Sequence, residues 1–65
     1  MQVELNGRTI ETAASTLAEL MAEQQFDIRS VATALNGAFV PRSSYARQQL
    51  EAGCQVEVLS PMQGG

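Results

Sequence analysis

Sixty-five residues leave room for one domain, and a chain this short buries only about 60% of the surface its unfolded form exposes. Apolar residues are 45% of the sequence, enough for an ordinary globular core. The formal net charge is -3 and all four cations are arginines, so nucleic acid is excluded as a partner and a partner with a basic face fits better.

Two Asn-Gly pairs organise the chain. Asn-Gly favours the type I′ turn, whose two central residues both need positive φ. The first pair, Asn6-Gly7, joins M-Q-V-E-L to R-T-I-E-T. Met1, Val3 and Leu5 alternate with Gln2 and Glu4, the period of a half-buried strand, and Ile10 is the inward residue of the second run. A helix is predicted over 16–25, with Leu17, Leu20 and Met21 on one face and Glu19 and Glu23 turned away. Thr16 followed by Glu19 three residues later is a capping-box signature, with Ser15 as the competing cap. Phe26 is expected to fold back as an apolar plug.

Asn36-Gly37 joins V-A-T-A-L to A-F-V. Val31, Thr33 and Leu35 are predicted inward, Ala32 and Ala34 outward, and Pro41 ends the strand because it cannot donate to the ladder. Residues 43–50 form at most a turn or two of helix, anchored by Tyr45 and Leu50. After a turn at Gly53, C-Q-V-E-V-L is the final strand, with Val56 and Val58 inward and Leu59 outward. The expected architecture is α+β, a mixed five-stranded sheet with one main helix across one face. The last strand is expected beside the first, parallel to it, in the sheet's centre. Residues 1–59 form the domain and 60–65 a flexible tail.

The chemistry is defined by what is missing. No histidine is present, so a Ser-His-Asp triad and a His-containing metal site are both excluded. A single cysteine forms neither an internal disulfide nor a thiolate zinc site, and the reducing cytoplasm is the expected compartment. The opening M-Q-V-E-L has neither the basic start nor the apolar core of a signal peptide, and no apolar run nears the roughly 20 residues of a membrane span. The acids of the strands and helix fall at solvent-facing positions, and intrinsic catalysis is not expected. Cys54 reads as a small residue at a strand entry; the alternative, a sulfur-accepting thiol, lacks a neighbouring cation to favour its thiolate. Arg42 is an exposed cation suited to a partner contact. Leu59, Ala32 and Ala34 share one outer sheet face and make a candidate docking patch.

The chain closes on S-P-M-Q-G-G. A terminal carboxylate is ionised at neutral pH. Set on Gly64 and Gly65, it is free to thread a narrow channel in whatever φ and ψ the channel demands. No phosphate-binding loop is present, so any activation of that carboxylate falls to another protein.

With these residues in view the chain resembles the ThiS family, sulfur carriers of thiamine thiazole biosynthesis with the ubiquitin-like β-grasp fold. The likeness spans the whole length: M-Q-V-E-L-N-G at the start, L-N-G-A-F-V-P-R at 35–42, Tyr45, L-E-A-G at 50–53, Val56-Glu57-Val58 and the closing Gly64-Gly65. Cys54 departs from it, standing where the family often has aspartate. The resemblance implies that an E1-like adenylating enzyme (ThiF type), using ATP and magnesium, converts the Gly65 carboxylate into an acyl-adenylate. A sulfur donor, ultimately a cysteine desulfurase, then replaces AMP to give a thiocarboxylate, and the sulfur passes to a thiazole synthase (ThiG type). In this scheme Gly65 carries the chemistry and Gly64 gives access to it. Leu59, Met62, Gln63, Arg42, Ala32 and Ala34 are the candidate partner contacts, and the chain itself holds no cofactor. Three alternatives stay open at this point: the small subunit of molybdopterin synthase, a ubiquitin-like modifier of target lysines, and a passive interaction module.

Overall fold

The computed structural model describes residues 1–60. Its elements run β1 (Gln2–Leu5), β2 (Arg8–Glu11), α1 (Leu17–Glu23), β3 (Ala32–Leu35), β4 (Ala38–Val40), a 3-10 turn (Arg42–Ser44) and β5 (Gln55–Leu59). The five strands form one sheet in the order β2-β1-β5-β3-β4. β5 is central and parallel to β1, as the sequence led us to expect, and it is antiparallel to β3. The expected tail lies outside the described residues, Ser60 excepted.

Both Asn-Gly pairs turn as predicted, with φ of 51° and 83° at Asn6 and Gly7 and 50° and 85° at Asn36 and Gly37. The two asparagines do more than turn the chain. The Asn6 amide N–H donates to the Val56 carbonyl, and its side-chain Oδ1 accepts from the Val58 amide at 2.8 Å. On the other flank the Asn36 amide donates to the Gln55 carbonyl while its Oδ1 accepts from the Gln55 amide at 2.8 Å. Registered pairing of β1 with β5 covers only Glu4–Gln55 and Leu5–Val56. The Asn6 side chain thus continues that ladder past the point where β1 turns away, and spares the Val58 amide an unsatisfied burial.

The helix starts at Thr16 through a complete capping box: Glu19 N–H donates to Thr16 Oγ1, and Glu19 Oε1 accepts from the Thr16 amide. The remaining free donors of the first turn find carbonyls in the loop after the 3-10 turn. Leu17 N–H donates to Gln48 O and Ala18 N–H to Tyr45 O. That loop stays short of a full helix while its carbonyls serve α1. At the other end α1 stops at Glu23, two residues before the predicted boundary. Gln25 adopts φ of 62°, with Phe26 N–H on Met21 O and Gln25 N–H on Ala22 O, the double bond of a Schellman stop. Phe26 then folds back and packs, half-buried, against the core.

Leu17, Leu20, Met21, Val3 and Val56 are the apolar centre, sealed by Tyr45, Leu50 and Val58. Thr33 is buried among them, satisfied by the Tyr45 hydroxyl at 2.9 Å. Val31 and Leu35, predicted inward, are half-buried, and Val31 lies just ahead of β3. Cys54 is buried just ahead of β5. Met1 is more exposed than its alternation predicts, because its ammonium turns to the Thr12 carbonyl and the Glu11 carboxylate at the sheet margin.

Two outcomes follow for stability. Asn6→Gly keeps the positive φ but strands the Val58 amide, so it costs about 1–2 kcal/mol; Asn36→Gly, whose bond lies in water's reach, costs less. Urea unfolding measures both, with the slope unchanged. Hydrogen bonds from the Ser15 amide, the Ser15 hydroxyl and the Thr16 amide hold the Glu19 carboxyl below the usual glutamate range. Because its folded pKa is depressed, its contribution is present above the unfolded value and is lost as pH falls through the folded one. The stability difference between the wild type and Glu19→Gln therefore shrinks on acidification, as thermal melts at a series of pH values will read.

Candidate functional site

Strand alternation divides the sheet into a face under α1 and an open face. Outward on β3 are Ala32 and Ala34; register places Leu59 opposite Ala32, and Phe39 and Glu57 opposite Ala34. Together they form a shallow trough of ≈ 290 Å³, floored by the two alanines, walled by Phe39 and Leu59, and bordered by Glu57 and Asn6. Phe39 and Leu59 are 69% and 73% exposed. Neither contributes much to burial, so their presence in water needs a reason other than the core. The other half of the open face is polar: Gln2, Glu4, Thr9 and Glu11 register with one another across β1 and β2.

Of the residues singled out from sequence, Leu59, Ala32 and Ala34 do come together here, with Ala34 half-buried between its neighbours. Arg42 is exposed at the head of the 3-10 turn and does not line the trough. Met62, Gln63, Gly64 and Gly65 lie outside the described residues. Phe39 was missed. The signal was present, since Val40 inward in A-F-V forces Phe39 outward, beside the small Ala34. The trough borders the end of the described chain: Leu59, the last residue of β5, is a wall, and Ser60 leads on to residues 61–65.

Among the described residues no group of three or more His, Cys, Asp or Glu side chains gathers as a metal site. Cys54, only 6% exposed, sits at the edge of a small polar hollow with Gln48, Gln49 and Glu51. Among the described residues, no cation lines that hollow. No helix of the described residues is long and apolar enough to cross a membrane.

The ThiS family model matches residues 3–65, nearly the whole sequence. The chain belongs to the ThiS family. Its fold agrees with two solved structures of a thiamine biosynthesis protein from Geobacter metallireducens. The crystal structure of that protein (ThiS) is 25% identical with a TM-score of 0.86 and full coverage of both chains. Its solution structure is 29% identical with a TM-score of 0.81, covering all of this chain and 88% of that one. No curated protein matches the chain. The five-stranded mixed sheet with one helix is thus the β-grasp arrangement of ThiS proteins.

Phe39 and Leu59, the two walls of the trough, bury little of their surface. Phe39→Thr and Leu59→Thr keep strand-forming side chains and lose little buried area, so each shifts unfolding free energy by no more than about 0.5 kcal/mol. Urea titration of the two variants checks this; a larger loss would make the patch part of the core.

Proposed function

We propose that this chain is a sulfur carrier of thiamine biosynthesis, a protein substrate that is acted on rather than an enzyme. The observation that carries the reading is the ThiS-family match running through residue 65, where the sequence ends in Gly64-Gly65. With Gly65 as the terminal residue, its carboxylate oxygen attacks the α-phosphorus of magnesium-bound ATP on an E1-like adenylating enzyme, and pyrophosphate leaves. Sulfide, released when a thiol reductant reduces the persulfide of a cysteine desulfurase and is itself oxidised to a disulfide, then attacks the acyl carbon; AMP leaves, and the carboxyl oxygen it carries away is replaced by sulfur. The thiocarboxylate is a polarizable anionic nucleophile, suited to giving its sulfur to a thiazole synthase. A carboxylate is a poor acyl donor and its mixed anhydride with AMP a good one, so the energy of the step comes from the partner's ATP.

The chain's own part is to bind and to deliver. Side-chain-free Gly64 and Gly65 fit a channel too narrow for a Cβ. The trough of Ala32, Ala34, Phe39 and Leu59 supplies an apolar docking surface next to the strand end from which residues 61–65 continue. Met62, Gln63 and Arg42 are further contacts in this reading. Interfaces draw most of their energy from a few large apolar anchors, and Phe39 and Leu59 are the candidates on this face.

Intact-mass analysis after incubation with a ThiF-type enzyme, ATP, magnesium and sulfide tests this. The wild type gains the mass difference between sulfur and oxygen, and deletion of Gly65 abolishes the gain. Phe39→Thr and Leu59→Thr convert more slowly at low enzyme concentration. An equal gain by the truncated chain would place the reaction elsewhere.

A further inference from the structure

An acyl-adenylate is attacked by any free amine or thiolate within reach, yet this carrier is to hold one until sulfur arrives. The nucleophiles of the chain are few. The sequence contains no lysine and no histidine, and its four cations are arginines, whose guanidinium stays protonated. The one thiol, Cys54, is buried beneath the sheet end and only 6% exposed. Serine and threonine hydroxyls are weak nucleophiles without an adjacent base, and no imidazole is present to act as one.

One amine remains, that of Met1. It donates to the Thr12 carbonyl at 2.8 Å and pairs with Glu11 Oε2 at 3.0 Å. Its position matters more than these contacts. β1 and β5 are parallel, with Glu4 opposite Gln55, so Met1 lies at the opposite end of the sheet from Ser60. Three residues separate Met1 from Glu4 and five separate Gln55 from Ser60, an offset of about 26 Å along the strands. The five residues beyond Ser60 reach at most about 17 Å. A chain cannot close on its own amino terminus across that gap.

We infer that the surface of this carrier is cleared of acyl acceptors within the tail's reach, so that an activated Gly65 carbonyl meets no competent nucleophile on its own chain and survives until an external sulfur attacks. This rests on the sulfur-carrier reading and adds to it a selection on side chains remote from the tail. The reaction avoided is aminolysis: an amine nitrogen bonds to the Gly65 carbonyl carbon, the bond to the AMP oxygen breaks, AMP leaves, and the amine loses a proton to solvent. Arginine in place of lysine keeps the positive charge while removing this reactivity.

The test restores an amine without changing charge. Arg29 is exposed, with only a surface ion pair to Asp27, and lies three residues before Ala32, the partner of Leu59. Arg29→Lys therefore places an amine near the end of β5, and Arg47→Lys, also exposed, serves as a second variant. Each is incubated with ThiF-type enzyme, ATP and magnesium in mildly alkaline buffer without a sulfur source, and read by intact mass and gel. Hydroxylamine added to a parallel wild-type sample traps activated carbonyl as the hydroxamate. The expected result is hydroxamate from the wild type, with no self-adduct, and from at least one lysine variant a cyclised species lighter by one water or a covalent dimer. Self-adducts of the wild type through Met1 would overturn the inference. So would hydroxamate formation with no adduct from either lysine variant, which would assign the protection to the partner enzyme. Absence of hydroxamate would remove the sulfur-carrier reading and this inference together.

Discussion

The hold of two asparagine side chains on β5 is the constraint from which the rest of the molecule follows. β5 is the middle strand of the sheet, and it is the strand that leads to residues 61–65. Its ladder with β1 is short, two registered pairs, and Asn6 Oδ1 lengthens it by receiving the Val58 amide. Asn36 Oδ1 does the same for the Gln55 amide from the side of β3. Each asparagine can do this because its backbone sits in the left-handed region, which swings the carboxamide out of its own hairpin and across to the neighbouring strand. Asparagine tolerates that conformation and carries an acceptor; glycine has only the first property, and most other residues have neither.

Fixed in this way, β5 presents Val56 and Val58 to the core under α1 and Glu57 and Leu59 to the open face. α1 depends in turn on a segment distant in sequence that packs against its first turn. The loop after the 3-10 turn gives its carbonyls to the helix N-terminus, and Tyr45 within it satisfies Thr33 in the sheet. Helix, loop and sheet are thus joined by polar contacts as well as by apolar burial. The consequence for function is a division of labour between two faces: one closed by the core, one free, with Leu59 at the end of β5 and Phe39 level with Glu57.

Much of this was legible in the sequence because each signal has a local cause. Asn-Gly demands a turn, alternation around Val3, Val56 and Val58 separates inside from outside, and Thr16 with Glu19 marks a helix start. What was not legible depended on distance along the chain. Nothing local says that Asn6 will bond Val58, fifty-two residues on, or that carbonyls at Tyr45 and Gln48 will cap a helix that begins at Leu17. The helix end was misplaced because Gln25 takes a left-handed conformation usually left to glycine, held there by the packing of Phe26. On the open face, Ala32, Ala34 and Leu59 were read correctly as one patch, while Phe39 was overlooked although its strand neighbour Val40 determines its direction. Residues 62–65, on which the proposed chemistry turns, are legible only through composition and family.

Native-state amide hydrogen exchange of the Val58 amide tests most directly whether β5 is the fixed element on which this arrangement rests. If Asn6 closes the ladder as described, that proton exchanges only through global unfolding, with an opening free energy equal to the total stability from denaturant titration. Exchange of Val58 at the rate of the exposed segment around Ile28 and Arg29 would show that the strand end frays on its own, and a loosely held β5 would contradict the account.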